Sequence, residues 1–231
     1  MDKRFLSILG ALVVIFVGIF IISQHSSNNK NSGSSSGQPS SNIEGQGSKG
    51  VTLIEYGDYQ CPVCGEFYQP LKQVFADNSQ NIYFQFRNLP LTSLHPNAFS
   101  AARAAEAAGM QGKYWQMHDL LYDQNIAYYN SGEKINAWVN ATNPLSDFQA
   151  DAQQLSLNVS KFTSDYSSSK VNNTINADLA AFAKTGQEQA TPTFFLDGKV
   201  LNNTDFIDTK TNSISVTKFD QVIANEIKAK S

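Results

Sequence analysis

Two cysteines occur in the chain of 231 residues, and they stand together as Cys61-Pro62-Val63-Cys64. Thiols at this spacing can form and break a single disulfide, which is redox chemistry and not architecture. A bridge closing so short a loop removes little entropy from the unfolded chain, so it would stabilise the fold only weakly. The pair is equally poor as half a zinc site, because no second pair of thiols exists to complete the ligands. No ligand cluster elsewhere argues for a metal.

The flanking sequence says how the thiols are held. Residues 51–56, Val-Thr-Leu-Ile-Glu-Tyr, are β-branched and apolar and read as a buried strand, with Gly57-Asp58-Tyr59-Gln60 as the turn after it. Pro62 follows Cys61 directly, and proline suits the first helical position, where its missing N–H would be unpaired anyway. Cys61 is thereby placed at the N-cap of a helix whose apolar stripe is Phe67, Leu71, Val74 and Phe75. Free backbone N–H groups and the positive end of the helix dipole converge there and favour a thiolate. Cys61 is the candidate nucleophile, and Cys64, one turn further in, the resolving thiol.

Further along, residues 81–87 alternate with Ile82, Phe84 and Phe86 on one face, a second strand. Residues 91–185 read as a helical block. Its first helix is the alanine-rich stretch 98–108, ended by Gly109; a second holds Tyr114, Trp115, Met117, His118, Leu120 and Leu121; weaker ones follow at 133–139, 144–155 and 160–183, the last either continuous or broken. Thr193-Phe194-Phe195-Leu196, Asp197-Gly198 and Lys199-Val200-Leu201 then spell strand, two-residue turn and strand. An amphipathic helix over 216–227 closes the chain.

The first part of the chain is of another kind. Residues 5–22, beginning with Phe5 and ending with Ile22, are almost wholly apolar or small and follow Lys3 and Arg4. This length and charge placement predict a single-pass anchor in the lipid bilayer with the body of the protein outside the cytoplasm. A removable signal peptide is the alternative, but no Ala-x-Ala site follows Ile22. Residues 23–49 are mostly Ser, Asn, Gly and Gln and predict a flexible tether. Residues 50–231 suffice for one domain with its own core. A net charge of −3 without basic blocks gives nucleic-acid binding no support. The absence of sustained heptads predicts a monomer.

Strand, helix, strand, helical block, hairpin and helix is the order of a thioredoxin-like α/β fold with a helical insertion. The chain resembles the DsbA-like thioredoxin family, the exported thiol-disulfide oxidoreductases. The resemblance rests on Leu53-Ile54-Glu55-Tyr56 leading into Cys61-Pro62-Val63-Cys64, on His95-Pro96-Asn97-Ala98 with Gly112-Lys113-Tyr114-Trp115-Gln116-Met117-His118-Asp119-Leu120-Leu121, and on Thr191-Pro192-Thr193-Phe194-Phe195-Leu196-Asp197-Gly198. It implies that Pro192 is a cis-proline opposite the cysteines, turning Thr191 toward the sulfurs, where its backbone can pair with an extended substrate. It also implies that Glu55 is an acid beneath the site, able to exchange protons with Cys64; read from its position alone, Glu55 could equally face solvent.

The implied activity is that of a dithiol oxidase needing no cofactor, which passes its disulfide to unfolded or newly exported cysteine-containing proteins and is reoxidised by a membrane quinone-linked oxidase. A reductase or isomerase uses the same residues in the other direction, and a tethered peptide-binding module would use only the groove beside Pro192. Val63 departs from the most oxidising members, which place a histidine between the cysteines, and predicts a weaker oxidant. His25 lies in the tether. His95 reads as a turn or helix-start residue and His118 as a packed one.

Overall fold

The computed structural model describes residues 37–131 and 137–230. A five-stranded sheet has the order β1-β3-β2-β4-β5, formed by β1 (Ile43–Glu44), β2 (Val51–Gly57), β3 (Ile82–Asn88), β4 (Thr193–Leu196) and β5 (Lys199–Val200). β2 and β3 run parallel, joined by helix α1 (Pro62–Asn78), while β1 and β4 pair antiparallel with β3 and β2. The insertion supplies α2 (Ala98–Gly109), α3 (Tyr114–Asn130), α4 (Leu145–Gln154), α5 (Val159–Tyr166) and α6 (Ser169–Ala183). After a two-residue ribbon, β6 (Ile207–Asp208) with β7 (Ser213–Ile214), the last helix is α7 (Val216–Ala229).

Strand alternation sorts the core into two faces. Val51 and Leu53 of β2, with Phe194 and Leu196 of β4, meet Phe67, Leu71 and Val74 of α1 and Phe219 and Ile223 of α7. Ile54 and Tyr56, with Phe195, turn the other way onto Leu179 and Phe182 of α6. By the same alternation Glu55 falls on the α1 face, where its register partners are Phe86 and Phe194. A third cluster fills the insertion, with the alanines of α2 letting Met117, Leu121, Phe148 and Phe162 approach closely.

The Asp197-Gly198 turn is of the kind that hairpins require. Both residues have positive φ, 48° and 80°, and the Asp197 carboxylate accepts the N–H of Thr52 at 2.9 Å. Of the two readings of 160–183 the broken one is found: Ser168 adopts an extended conformation and caps α6 by accepting from Val171 N–H. Of the helix expected over 133–139, the described residues show a short 3-10 helix, Trp138–Asn140.

The tether expected over 23–49 is corrected in its latter part. Residues 40–50 are tied into the domain: Ser40 is buried, its N–H donates to Asp178 at 2.8 Å, and Ile43 and Glu44 pair with Gln85 and Phe84. Composition misled because these small polar residues are held by hydrogen bonds and not by apolar burial. The anchor expected over 5–22 lies outside the described residues. Among the described residues no helix is long and apolar enough to cross a membrane.

Candidate active site

Cys61 occupies the N-cap of α1 in an extended conformation, with Pro62 opening the helix. Both thiols are free; Cys61 is 6% exposed, Cys64 fully buried, and Val63 between them is 43% exposed. The Thr191-Pro192 bond is cis, and the Cys61 thiol donates to the Thr191 carbonyl at 3.6 Å. The buried Thr191 hydroxyl, which has no hydrogen-bond partner of ordinary geometry among the described residues, favours the thiolate of Cys61.

The two thiols are driven apart electrostatically. Hydrogen bonding from Cys64 brings Cys61 down to about 6 against the opposing effect of burial, with Thr191 and the Cys64 backbone N–H assisting and the Asp58 charge working the other way. Burial pushes Cys64 well up, as do its hydrogen bond to Cys61 and the charges of Cys61, Glu55 and Asp58. At neutral pH one sulfur is therefore a thiolate and its neighbour a thiol.

Glu55 is 3% exposed, and burial followed by the Cys61 thiolate raises its carboxyl to about 8. No hydrogen bond reaches this carboxylate among the described residues. Room for it comes from Gly57, where a Cβ would meet the Phe86 ring and lie 2.9 Å from the Glu55 carboxylate. The carboxylate lines a cavity of about 260 Å³ shared with Tyr68, Trp115 and His118 and reaching the exposed Lys72–Asp119 ion pair. Within it His118 is neutral, burial holding it down to about 3, and its Nδ1 bonds the Tyr59 hydroxyl at 3.0 Å.

Several residues that sequence reasoning passed over hold the Asp58-Tyr59-Gln60 turn in place. Asn125 of α3 donates to the Tyr59 carbonyl at 2.8 Å, and its other amide atom lies where a side chain at Gly65 would intrude. Gln60 donates to the Val139 carbonyl at 2.8 Å and accepts from Asn97 N–H at 2.6 Å. Asp58 is buried and bonded to His95, at 2.8 Å between Oδ2 and Nδ1. The available signal was the polar Asp58-Tyr59-Gln60 and His95-Pro96-Asn97 segments, yet nothing local distinguishes a buried turn aspartate from an exposed one.

A thiolate and a thiol at a helix N-terminus, faced by a cis-proline on a thioredoxin-like fold with a helical insertion, define a thiol-disulfide oxidoreductase of DsbA-like architecture. A thioredoxin family model matches residues 39–215, and the chain belongs to that family.

Among solved structures, the oxidised BdbD of Bacillus subtilis superposes with a TM-score of 0.62 at 21% identity, covering 83% of this chain and 97% of that one. The alpha-DsbA1 of Wolbachia pipientis gives 0.57 at 22% identity, covering 84% and 94%. Among curated proteins, a Na(+)/H(+) antiporter NhaA 1 of Salinispora arenicola is 37% identical over 149 residues, which is 64% of this chain and 20% of that protein. The chain spans about a fifth of the length of the curated relatives it matches.

Proposed function

We propose that the protein is an exported dithiol oxidase. A substrate thiolate attacks Cys61 of the Cys61–Cys64 disulfide, and Cys64 leaves with the electron pair and takes a proton, with Glu55 as its donor. The second substrate thiol, deprotonated, then attacks its own sulfur in the mixed disulfide and expels the Cys61 thiolate. The substrate has lost two electrons and the protein holds both. The observation that carries this reading is the split between the thiols, Cys61 down to about 6 and Cys64 pushed up. A low value makes Cys61 the better leaving group and stabilises the reduced protein, which makes the disulfide form an oxidant.

Having given its proton to Cys64, Glu55 can regain one from solvent through the cavity toward Lys72 and Asp119. Pro192 and Thr191 serve as the edge against which an extended substrate lies. In this proposal residues 5–22 anchor the domain outside the cytoplasm, its clients are newly exported cysteine-containing proteins, and a membrane quinone-linked oxidase removes the electrons. The match takes in a fifth of the antiporter relatives, so antiport is no part of this function.

One observation favours the reductase reading. The value of about 6 for Cys61 lies nearer the roughly 7 of thioredoxin than the roughly 3.5 of DsbA. Oxidation of a reduced, unfolded dithiol protein by the disulfide form tests the proposal. Stoichiometric transfer supports it, and failure to transfer under conditions where the dithiol form reduces a client disulfide overturns it. The Cys61→Ser variant should lose either activity completely, whereas a peptide-binding module would keep its binding and show no such dependence.

A further inference from the structure

Asp58 and His95 lie outside the Cys-x-x-Cys segment and are far apart in the chain. The carboxylate of Asp58 is 1% exposed and accepts Gln60 N–H at 2.8 Å, Leu91 N–H at 2.9 Å and His95 Nδ1 at 2.8 Å. A carboxylate can only accept, so the proton in the last bond is on Nδ1 and Nε2 is left to titrate. The main-chain carbonyl of Asp58 meanwhile accepts the N–H of Cys61 at 3.1 Å. Asp58 thus touches the nucleophile through its backbone and His95 through its side chain, and a buried negative charge at this place works against a thiolate.

We propose that His95 is a positioning residue for Cys61: its imidazolium neutralises the Asp58 carboxylate and supplies, from the loop before α2, the positive charge that Val63 leaves out of the Cys-x-x-Cys segment. The groups facing Cys61 are Cys64 on α1, Thr191 before β4 and Asp58 in the turn. Those facing His95 are Asp58 and Cys61; burial pulls the imidazole down, but its bond to Asp58, the Asp58 charge and the Cys61 thiolate outweigh it and raise it. Coupling of this kind is reciprocal: if the thiolate tightens the proton on His95, the proton on His95 favours the thiolate by the same factor.

The inference rests on Cys61 being the nucleophile, but its test needs no turnover. The His95 imidazole would be titrated by NMR in the full chain, reduced and oxidised, with its resonances assigned through the backbone of the neighbouring residues. The expected result is a shift to lower pH on oxidation, because the disulfide carries no thiolate. In His95→Gln, which keeps a donor for Asp58 and cannot carry charge, the Cys61 thiolate absorbance should titrate at higher pH than in the wild type. An identical His95 titration in both redox states overturns the proposal, as does an unmoved Cys61 titration in a folded His95→Gln. A merely structural tie would lower thermal stability and leave both titrations where they are. Should His95→Gln not fold, the redox dependence in the wild type decides alone. Failure here leaves the dithiol reading standing, since that is decided by Cys61→Ser.

Discussion

Glu55 and Asp178 are both carboxylates in the interior, and burial, the first cause in each, raises them to about 8 and about 7. Their surroundings are opposite. Asp178 accepts from Ser40 N–H at 2.8 Å, Asn88 N–H at 3.0 Å and the Asn88 amide at 2.9 Å, and its neighbour Glu106 accepts from Ser40 Oγ, Asn42 and Asn88. Glu55 sits between Phe86 and Phe194 in register and faces a cavity, and no hydrogen bond reaches its carboxylate among the described residues. Burial alone does not tell what a carboxylate is for. A carboxylate held by several hydrogen bonds fixes geometry, here the strap of residues 40–44 against β3 and α6, whereas one that makes none is free to change its protonation beside a thiol.

The contrast is tested most strongly by Glu55→Gln. The amide keeps the shape but carries no exchangeable charge, so disulfide exchange through Cys64 should slow by about 10²-fold or more, the usual weight of a general acid or base. Stability should be equal or higher, since the cost of ionising a buried group is gone. Stopped-flow exchange and urea titration of the same sample check both halves. Unchanged kinetics with lower stability would make Glu55 another Asp178.

Asp178→Ala should behave in reverse. It leaves two buried backbone N–H groups without acceptors, which costs about 2–4 kcal/mol, or roughly 5–10 °C in melting temperature for a domain of this size. The Cys61 titration should not move. Loss of exchange activity in a folded Asp178→Ala protein would show that the two carboxylate sites are not independent.

The pH dependence separates them more finely. Glu55 rises from 4.5 to about 8 in the folded protein, so its contribution to stability is complete below the unfolded value and is lost as pH climbs through 8. Asp178 acts with the same sign between 3.8 and about 7. Because the Cys61 thiolate is the second cause for Glu55 and no cause for Asp178, of these two carboxylates only Glu55 should depend on redox state. The part of the urea-midpoint slope that Glu55→Gln removes should be larger in the reduced protein than in the oxidised one; the comparison is made on that part because the Cys61 thiol also titrates in the reduced form, with opposite sign. An equal part removed in both redox states would contradict the assignment. The smallest effect is expected at the exposed Val63: Val63→His adds charge near the thiolate and should raise the reduction potential by roughly 30 mV, which corresponds to about 1.4 kcal/mol. An unchanged or lower potential would remove Val63 from the account.

How much of this was legible depended on the range of the forces involved. The Cys-Pro-Val-Cys helix start, the Asp197-Gly198 turn and the apolar stripe of α7 are local patterns, and the structure has them at or close to the predicted residues. The position of Glu55 came from the family resemblance and not from the strand, since read from its place alone it could equally face solvent, and the lack of hydrogen bonds to it was in neither. Hidden from the sequence were the two-residue strands β1, β6 and β7 and the polar ties Asp58–His95, Gln60–Asn97 and Ser40–Asp178. β1 and the polar ties depend on partners far away in the chain, and Asp, Gln, Asn and Ser in a turn look the same whether they face water or a buried donor; β6 and β7 pair with each other locally but are too short to show an alternating pattern.

The account turns on the direction in which the Cys61–Cys64 pair moves electrons, and its reduction potential measures that directly. The full chain would be equilibrated with glutathione and its thiols trapped; a fragment starting at residue 50 would lack β1 and the strap. For an oxidase the expected potential is well above the roughly −270 mV of thioredoxin and short of the roughly −120 mV of DsbA. A value at or below the thioredoxin end would contradict the oxidase and make this protein a reductase in need of an electron donor.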